Sequence, residues 1–133
     1  MSDVCVRGGA MIFDTDVLIW ALRGNAKAAR AIEQDEERAV SAITIMELLQ
    51  GARDKQELAA IRSFLLEFDT LPVSETISHR ACIYMEQYAL SVSLCPMDAL
   101  VAATASEQQL LLCTGNAKHY RQIPGIELKT FRP

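Results

Sequence analysis

The stretch MIFDTDVLIW, residues 11–20, carries an apolar run directly into Asp14 and then into an amphipathic segment. A short run of large apolar residues that ends at a polar one is typical of a buried strand, and the residues after Asp14 have helical spacing. Because a strand that ends in a carboxylate presents it at the edge of the sheet, Asp14 is expected in a crevice there. An Asp also suits the cap of the next helix, so both roles stay open at this point.

The rest of the chain alternates strands with helices. Apolar periodicity and turn residues predict strands at 10–13, 39–43, 71–74, 110–113 and 126–128, helices at 15–22, 26–37, 44–51, 55–68, 75–90 and 97–109, and a helical turn at 116–121. This alternation predicts an α/β fold whose parallel sheet is covered by helices on both faces. The predicted organisation is a flexible N-terminal extension over residues 1–10 and a single domain over residues 11–133.

Composition narrows the classes of protein. The chain has 133 residues and a formal net charge of −4, which disfavours a protein that holds nucleic acid through a broadly basic face. A nuclease is not excluded, because a cation bound among carboxylates offsets their local charge. The apolar stretches are too short to span a bilayer and residues 1–9 lack a secretory signal pattern, so a cytoplasmic protein outside the membrane is expected. The four cysteines lack zinc-site spacing and are expected to be reduced core residues.

Three further motifs place a polar side chain at the boundary of an element. Glu47 in SAITIMELLQG stands three residues after Thr44, which is the spacing of a capping box. Asp98 in CPMDALVAATA lies in the first turn of a predicted helix, where a carboxylate is favoured by the helix dipole. Asn116 in LLLCTGNAKHY lies in a turn after a strand. Taken alone, each residue has a purely structural explanation.

Taken together, Asp14, Glu47, Asp98 and Asn116 would bring oxygen ligands to one edge of the sheet. Such ligands suit a hard divalent cation, Mg²⁺ or Mn²⁺. Asp16 is expected only to stabilise the first turn of its helix. The nearby side chains that can orient a carboxylate or contact a phosphate, or else be ordinary turn residues and solvated charges, are Thr15, Thr114, Arg23, Lys118, His119 and Arg121.

In this order the four motifs resemble those of the PIN-domain family, and most closely its VapC-like bacterial toxins. The resemblance runs from residue 11 to about residue 131, nearly the whole chain. The matching residues are the strand before Asp14-Thr15, Glu47 with Gly51 closing its helix, Asp98-Ala99-Leu100-Val101-Ala102-Ala103, and Thr114 with Asn116 before Tyr120. One such motif is a weak signal, but four in register are fairly specific.

The resemblance implies both a fold and an activity. The fold would be a PIN-like three-layer α/β/α sandwich with a short, mainly parallel central sheet. The activity would be that of a Mg²⁺- or Mn²⁺-dependent endoribonuclease, which cleaves RNA phosphodiester bonds with metal-activated water. Asp14, Glu47 and Asp98 would be the metal ligands, with Thr114 and Asn116 assisting catalysis. Asn116 departs from the Asp that the family often has at this position.

The resemblance implies partners as well. VapC-like toxins usually form homodimers, and a cognate VapB-like antitoxin blocks the site and builds a higher oligomer. Trp20 and Leu22 beside Arg23, with the predicted helix over 55–68, offer apolar material for the groove that would receive the antitoxin. The same residues would otherwise belong to the core.

Two other interpretations stay open. The sequence Asp14-Thr15-Asp16 after an apolar strand also looks like the nucleophile motif of haloacid-dehalogenase-like phosphatases, in which Asp14 would be the covalent nucleophile. That chemistry requires a downstream Lys, and the segment around Asp98 supplies none. The third interpretation is a catalytically silent PIN-like interaction module, because Asn116 replaces an acid.

Overall fold

The sheet is parallel and has its first strand at its centre. The computed structural model describes residues 10–133, and in that range five strands lie in the order β3-β2-β1-β4-β5. The strands are β1 Met11–Phe13, β2 Ala39–Ser41, β3 Asp69–Leu71, β4 Leu111–Thr114 and β5 Leu128–Thr130. The helices are α1 Thr15–Leu22, α2 Ala26–Glu33, α3 Ala42–Gln50, α4 Lys55–Leu65, α5 Glu75–Val92 and α6 Pro96–Gln108, and Ala117–His119 is a 3-10 turn.

Strand β1 is central because its residues are apolar on both faces. Ile12 packs into a cluster with α5 and α6, whereas Met11 and Phe13 pack into a second cluster with α1, α2, α3 and α4. Alternate residues of a strand point to opposite faces, so a continuous apolar run is what a strand between two helical layers requires. The predicted three-layer α/β/α sandwich is confirmed.

The predicted capping box at Thr44 is wrong. Helix α3 begins at Ala42, and Ser41 caps it by accepting the N–H of Ile43 on its hydroxyl at 3.1 Å. Ser41 ends β2 and is fully buried, so its hydroxyl takes up a helix N–H that would otherwise lack a partner. Thr44 therefore lies inside the helix, and Glu47 is free to point elsewhere.

Two edge strands also differ from the prediction. Strand β3 ends at Leu71 instead of continuing to residue 74, because Pro72 has no N–H to extend the ladder. Strand β5 begins at Leu128, two residues after the predicted start, and Phe131 N–H then donates to the carbonyl of Thr114 at 2.8 Å. The other predicted elements overlap the observed ones.

Helix α2 ends at Glu33, short of the predicted residue 37, because the Asp35 carboxylate accepts two backbone hydrogen bonds outside the helix. Its Oδ2 accepts the N–H of Met11 at 2.7 Å, and its Oδ1 accepts the N–H of Glu37 at 3.0 Å. Asp35 is only 3% exposed. A buried carboxylate therefore satisfies the first N–H of β1 and holds the turn that leads into β2.

The boundary between extension and domain stays a prediction. The predicted extension over residues 1–10 lies outside the described residues except for Ala10, which is buried against the core. Across residues 10–133, no helix has both the length and the apolar character needed to cross a membrane.

Candidate active site

Strand β4 holds Asp14 at the end of β1. The N–H of Asp14 donates to the carbonyl of Cys113 at 2.9 Å, so residue 14 continues the ladder. Its Oδ1 accepts the N–H of Thr15 at 2.9 Å and caps α1, while its Oδ2 accepts the hydroxyls of Thr114 at 2.8 Å and Tyr120 at 3.0 Å. The side chain is 7% exposed. Asp14 thus caps α1, one of the two roles that the sequence left open, and its other oxygen lies at the end of β1 between Thr114 and Tyr120.

Asp98 reaches the same place from α6. Pro96 occupies the first turn of α6, as predicted, and Asp98 follows it there. Its Oδ1 lies 3.2 Å from the hydroxyl of Tyr120, which also contacts Asp14, and its Oδ2 lies 3.3 Å from Nδ1 of His119. One buried phenol therefore joins the two carboxylates. The sequence interpretation used Tyr120 only as an aromatic in a motif and missed this contact.

Glu47 joins the group through Thr15. The hydroxyl of Thr15 donates to Oε1 of Glu47 at 2.6 Å and lies 3.2 Å from the hydroxyl of Thr44. Thr44 is fully buried where α3 passes α1. Because Thr15 follows Asp14 directly, this contact brings the Glu47 carboxylate beside the end of β1.

Asp16 is an acidic residue whose role the sequence interpretation missed. Its Oδ2 accepts the N–H of Gly115 at 2.9 Å, across the gap between α1 and the turn after β4. Its Oδ1 is buried and has no hydrogen-bond partner among residues 10–133. The available signal was the spacing of Asp14 and Asp16, because a carboxylate at the N-cap and another in the first turn share the N-terminal end of the helix.

The electrostatics of the site are those of crowded carboxylates. Burial, and then the charge of Asp16, raise the pKa of Asp14 to about 6, against the hydrogen bonds that it accepts. Burial also raises the pKa of Asp16, and the charge of Asp98 adds to this. The pKa of Tyr120 is raised by burial and by the charges of Asp14 and Asp98, so its hydroxyl keeps its proton. A cation placed here would offset the carboxylate charge that contributes to the raised pKa values of Asp14, Asp16 and Tyr120.

The donor set fits a hard divalent cation. Asp14, Glu47 and Asp98 offer carboxylate oxygens of the kind that Mg²⁺ and Mn²⁺ prefer, and Oδ1 of Asp16 is a buried oxygen without a partner. Over residues 10–133, no three Asp, Glu, His or Cys side chains stand as a ready-made cage. Hydroxyls of Thr15, Thr114 and Tyr120 bond these carboxylate oxygens, so a bound metal would replace some of those hydrogen bonds.

Of the remaining predicted residues at the end of β4 and in the turn after it, one is buried and three are exposed. Thr114 is fully buried, and besides bonding Asp14 its hydroxyl accepts the N–H of Asn116 at 2.9 Å. Asn116 itself is exposed, as are Lys118 and Arg121. Their proposed contacts with metal or phosphate stay predictions.

A groove of about 430 Å³ runs beside Glu47, between α1, α3 and α4. Leu22, Arg23 and Ile61 line it together with Glu47, which places three of the residues predicted for a partner groove or a phosphate contact next to the site. Trp20 is 37% exposed, so it is a surface side chain and does not belong to the core.

Comparison with known proteins agrees with the fold. The model of the PIN domain matches residues 11–124. Ribonuclease VapC10 of Mycobacterium tuberculosis is 36% identical over 115 residues, which cover 83% of this chain and 85% of the relative. Ribonuclease VapC19 of the same organism is 31% identical over 121 residues, which cover 87% and 96%. The chain belongs to the PIN-domain family.

Within that family the chain is VapC-like. The tRNA(fMet)-specific endonuclease VapC of Salmonella typhimurium is 27% identical over 95 residues, 68% of this chain and 72% of the relative. A toxin-antitoxin complex from Klebsiella pneumoniae contains a chain with 32% identity and a TM-score of 0.78, covering 90% of this chain and 96% of that one. A DNA-bound VapBC complex from Salmonella typhimurium, at 21% identity, shares the fold with a TM-score of 0.81 over 91% and 97%. The phosphatase interpretation of Asp14 has no support from these matches.

Proposed function

We propose that this PIN-domain protein is a divalent-metal-dependent endoribonuclease and the toxin of a VapBC-like pair. The observation that carries the proposal is the meeting of Asp14, Glu47 and Asp98 at the end of β1, joined by Tyr120 and Thr15. Negative charge is crowded here, since Asp16 raises the pKa of Asp14 and Asp98 raises that of Asp16, and a divalent cation would offset that repulsion. The names of the relatives support RNA as the substrate.

Asp14, Glu47 and Asp98 would hold Mg²⁺ or Mn²⁺. Such an ion supplies Lewis-acid stabilisation of phosphoryl charge and lowers the pKa of water. Thr114 fixes the orientation of the Asp14 carboxylate, and Thr15 fixes that of Glu47. Because these hydroxyls belong to rigid elements, the carboxylates are arranged before RNA arrives.

RNA would be held by basic side chains around the acidic centre. Arg23 lies in the groove beside Glu47, and Lys118 and Arg121 are exposed on the turn that carries Asn116. Phosphate contacts of this kind position the backbone without reading sequence. His119, already against Asp98, would stand where the RNA backbone approaches the carboxylates.

An antitoxin is the proposed protein partner. The solved complexes that share this fold include VapBC assemblies, which supports a VapB-like partner for this chain. The groove of Leu22, Arg23 and Ile61 opens beside Glu47, so a peptide laid in it would cover the site. We also propose a homodimer, a higher oligomer with antitoxin, and action in the cytoplasm, where the RNA lies.

The deciding experiment compares RNA cleavage by the wild type, Asp98→Asn and Glu86→Gln. Glu86 is an exposed carboxylate on α5 and serves as the matched control for loss of one charge. We expect cleavage by the wild type and Glu86→Gln in Mg²⁺ or Mn²⁺, none in EDTA, and a loss of at least about a hundredfold in Asp98→Asn. Equal cleavage under all conditions would rule out the proposed mechanism, and no cleavage together with tight antitoxin binding would favour the silent module.

A further inference from the structure

The two oxygens of Asp16 have different surroundings. Oδ2 accepts the N–H of Gly115 at 2.9 Å, a bond that ties α1 to the turn after β4. Oδ1 is buried and finds no hydrogen-bond donor among residues 10–133. A buried oxygen of a carboxylate is costly to leave without a partner, by about 1–3 kcal/mol or more when charged. The backbone N–H groups of Asp16 and Val17 lie near enough to the carboxylate to lower its pKa, but neither makes a hydrogen bond to Oδ1, so this oxygen can still take a water or a cation.

The neighbours of Asp16 indicate what that partner is. Asp14 lies two residues earlier, at the N-cap of α1, and the charge of Asp16 raises its pKa; the charge of Asp98 in turn raises the pKa of Asp16. A water would hydrogen-bond Oδ1 but leave the repulsion among the three carboxylates. A divalent cation would satisfy the oxygen and remove the repulsion together.

Gly115 fixes the direction of the Asp16 carboxylate. A Cβ at residue 115 would lie 2.5 Å from Oδ2 of Asp16, closer than two such atoms can approach. The absence of a side chain at this position is thus what lets Oδ2 reach the backbone N–H. With Oδ2 held there, Oδ1 is left buried without a hydrogen-bond partner among residues 10–133.

A purely structural role of Asp16 explains the bond from Gly115 to Oδ2 but does not explain the unpartnered Oδ1. Holding the Gly115 N–H requires one acceptor oxygen, which an Asn would provide as well without adding charge beside Asp14 and Asp98. The second, unpartnered oxygen has no use in that role. Its burial next to other carboxylates is the feature that the structural role leaves unexplained.

We infer that Asp16 is a further metal ligand of this site and binds the divalent cation through Oδ1. The inference rests on the proposed function, because it concerns the same cation. It makes the acidic set Asp14, Asp16, Glu47 and Asp98, so that the exposed Asn116 is not needed as a ligand.

The test is Mn²⁺ binding by isothermal titration calorimetry, without RNA. Asp16→Asn keeps the size of the side chain and an oxygen for Gly115 but removes the charge. We expect its dissociation constant for Mn²⁺ to rise at least about tenfold, and its thermal unfolding in EDTA to begin no earlier than that of the wild type. Asp69→Asn, the same change at an exposed carboxylate at the start of β3, is the matched control and should change the dissociation constant less than about twofold.

The outcomes separate the inference from the proposed function. Wild-type affinity for Mn²⁺ in Asp16→Asn, with normal binding by the wild type, overturns the ligand role of Asp16 and leaves the proposed function standing. Weakened binding in Asp16→Ala but not in Asp16→Asn overturns it too, because only the bond to Gly115 would matter. No binding by the wild type at millimolar Mn²⁺ overturns both.

A measurement on the unaltered chain covers the case in which a variant fails to fold. The carboxyl carbon of Asp16 and the amide of Gly115, which donates to it, are followed by NMR during a Mg²⁺ titration of the wild type. We expect both resonances to shift along the binding curve of the Asp98 carboxyl carbon. An Asp16 carboxyl that does not move while that of Asp98 does would overturn the inference.

Discussion

Strand β1 has a buried aspartate at each end, and the two ends behave differently. At its start, Asp35 gives each carboxylate oxygen to one backbone N–H, of Met11 and of Glu37. At its end, Asp14 also accepts hydrogen bonds, but the charge of Asp16 raises its pKa, and the charge of Asp98 raises that of Asp16. Burial is similar, 3% and 7% exposed. What distinguishes the candidate site at Asp14 from the structural position of Asp35 is therefore the presence of neighbouring carboxylates and not the degree of burial.

The largest expected effect is on activity at the Asp14 end. Asp14→Asn removes a proposed metal ligand with little change in volume, so RNA cleavage in Mn²⁺ should fall more than about a thousandfold. Since the substitution also removes a buried, repelled charge, the metal-free chain should unfold at an equal or higher temperature. Cleavage assays and melting curves on the same sample check both statements. A variant that melts well below the wild type would show that Asp14 is as structural as Asp35.

The matched substitution at the other end, Asp35→Asn, should act on stability. Asn keeps one acceptor oxygen and turns its NH₂ toward the second backbone donor, so the one lost acceptor is expected to lower the free energy of unfolding by about 3 kcal/mol. Urea titration monitored by circular dichroism measures this. Protein that remains folded should keep its affinity for Mn²⁺. If Asp35→Asn instead lost Mn²⁺ binding and kept its stability, Asp35 would belong to the metal site and would not be a structural residue.

The pH dependence of stability gives a third contrast. Folded Asp14 keeps its proton up to a pKa of about 6, against 3.8 for an ordinary Asp, so between these values the folded chain binds more protons than the unfolded one. The contribution of Asp14 is present below pH 3.8 and is lost as pH rises through 6, about 3 kcal/mol in all. Unfolding in EDTA should show this fall in the wild type, and Asp14→Asn should lack it. If the wild type and Asp14→Asn lost the same stability as pH rises, the pH dependence would come from groups other than Asp14.

The smallest expected effect is that of the phenol between the carboxylates. Tyr120→Phe removes one hydroxyl that contacts both Asp14 and Asp98 and should lower the free energy of unfolding in EDTA by about 1 kcal/mol. Tyr88→Phe, at a half-buried position on α5, is the control and should have a smaller effect. Saturating Mn²⁺ should narrow the difference between Tyr120→Phe and the wild type, because the metal then holds the carboxylates. An equal loss in both variants would deny Tyr120 this role.

Sequence predicted the layers better than the boundaries. The continuous apolar run before Asp14 was enough to predict a buried central strand, because only a sheet covered on both faces needs one. The end of α2 was missed because Asp35 leaves the helix to bind Met11 N–H, a contact across 24 residues that no local pattern shows. The start of α3 was missed because both Ser41 and Thr44 are suitable caps and burial of Ser41 decided between them.

The candidate site was predictable in its acids but not in its connections. Asp14, Glu47 and Asp98 stand in motifs that a sequence displays directly. Their joining groups, Thr15 and Tyr120, act through hydroxyl contacts that exist only after the sheet is formed. Asp16 was read as a helix-dipole residue because its interaction with Gly115 depends on how the turn after β4 meets α1.

The pairing of β1 with β4 also determines at what stage of synthesis and folding the site can form. The Asp14 carboxylate and the Thr114 hydroxyl that orients it are 100 residues apart in the chain, and the Tyr120 hydroxyl is 106 residues from Asp14. Contacts between such distant residues form late in folding, and a chain emerging from the ribosome has β1 long before β4. Nascent and prematurely terminated chains should therefore lack the proposed cleavage of RNA. A chain that stops at residue 110 tests this timing, since it carries Asp14, Glu47 and Asp98 yet should cleave no RNA.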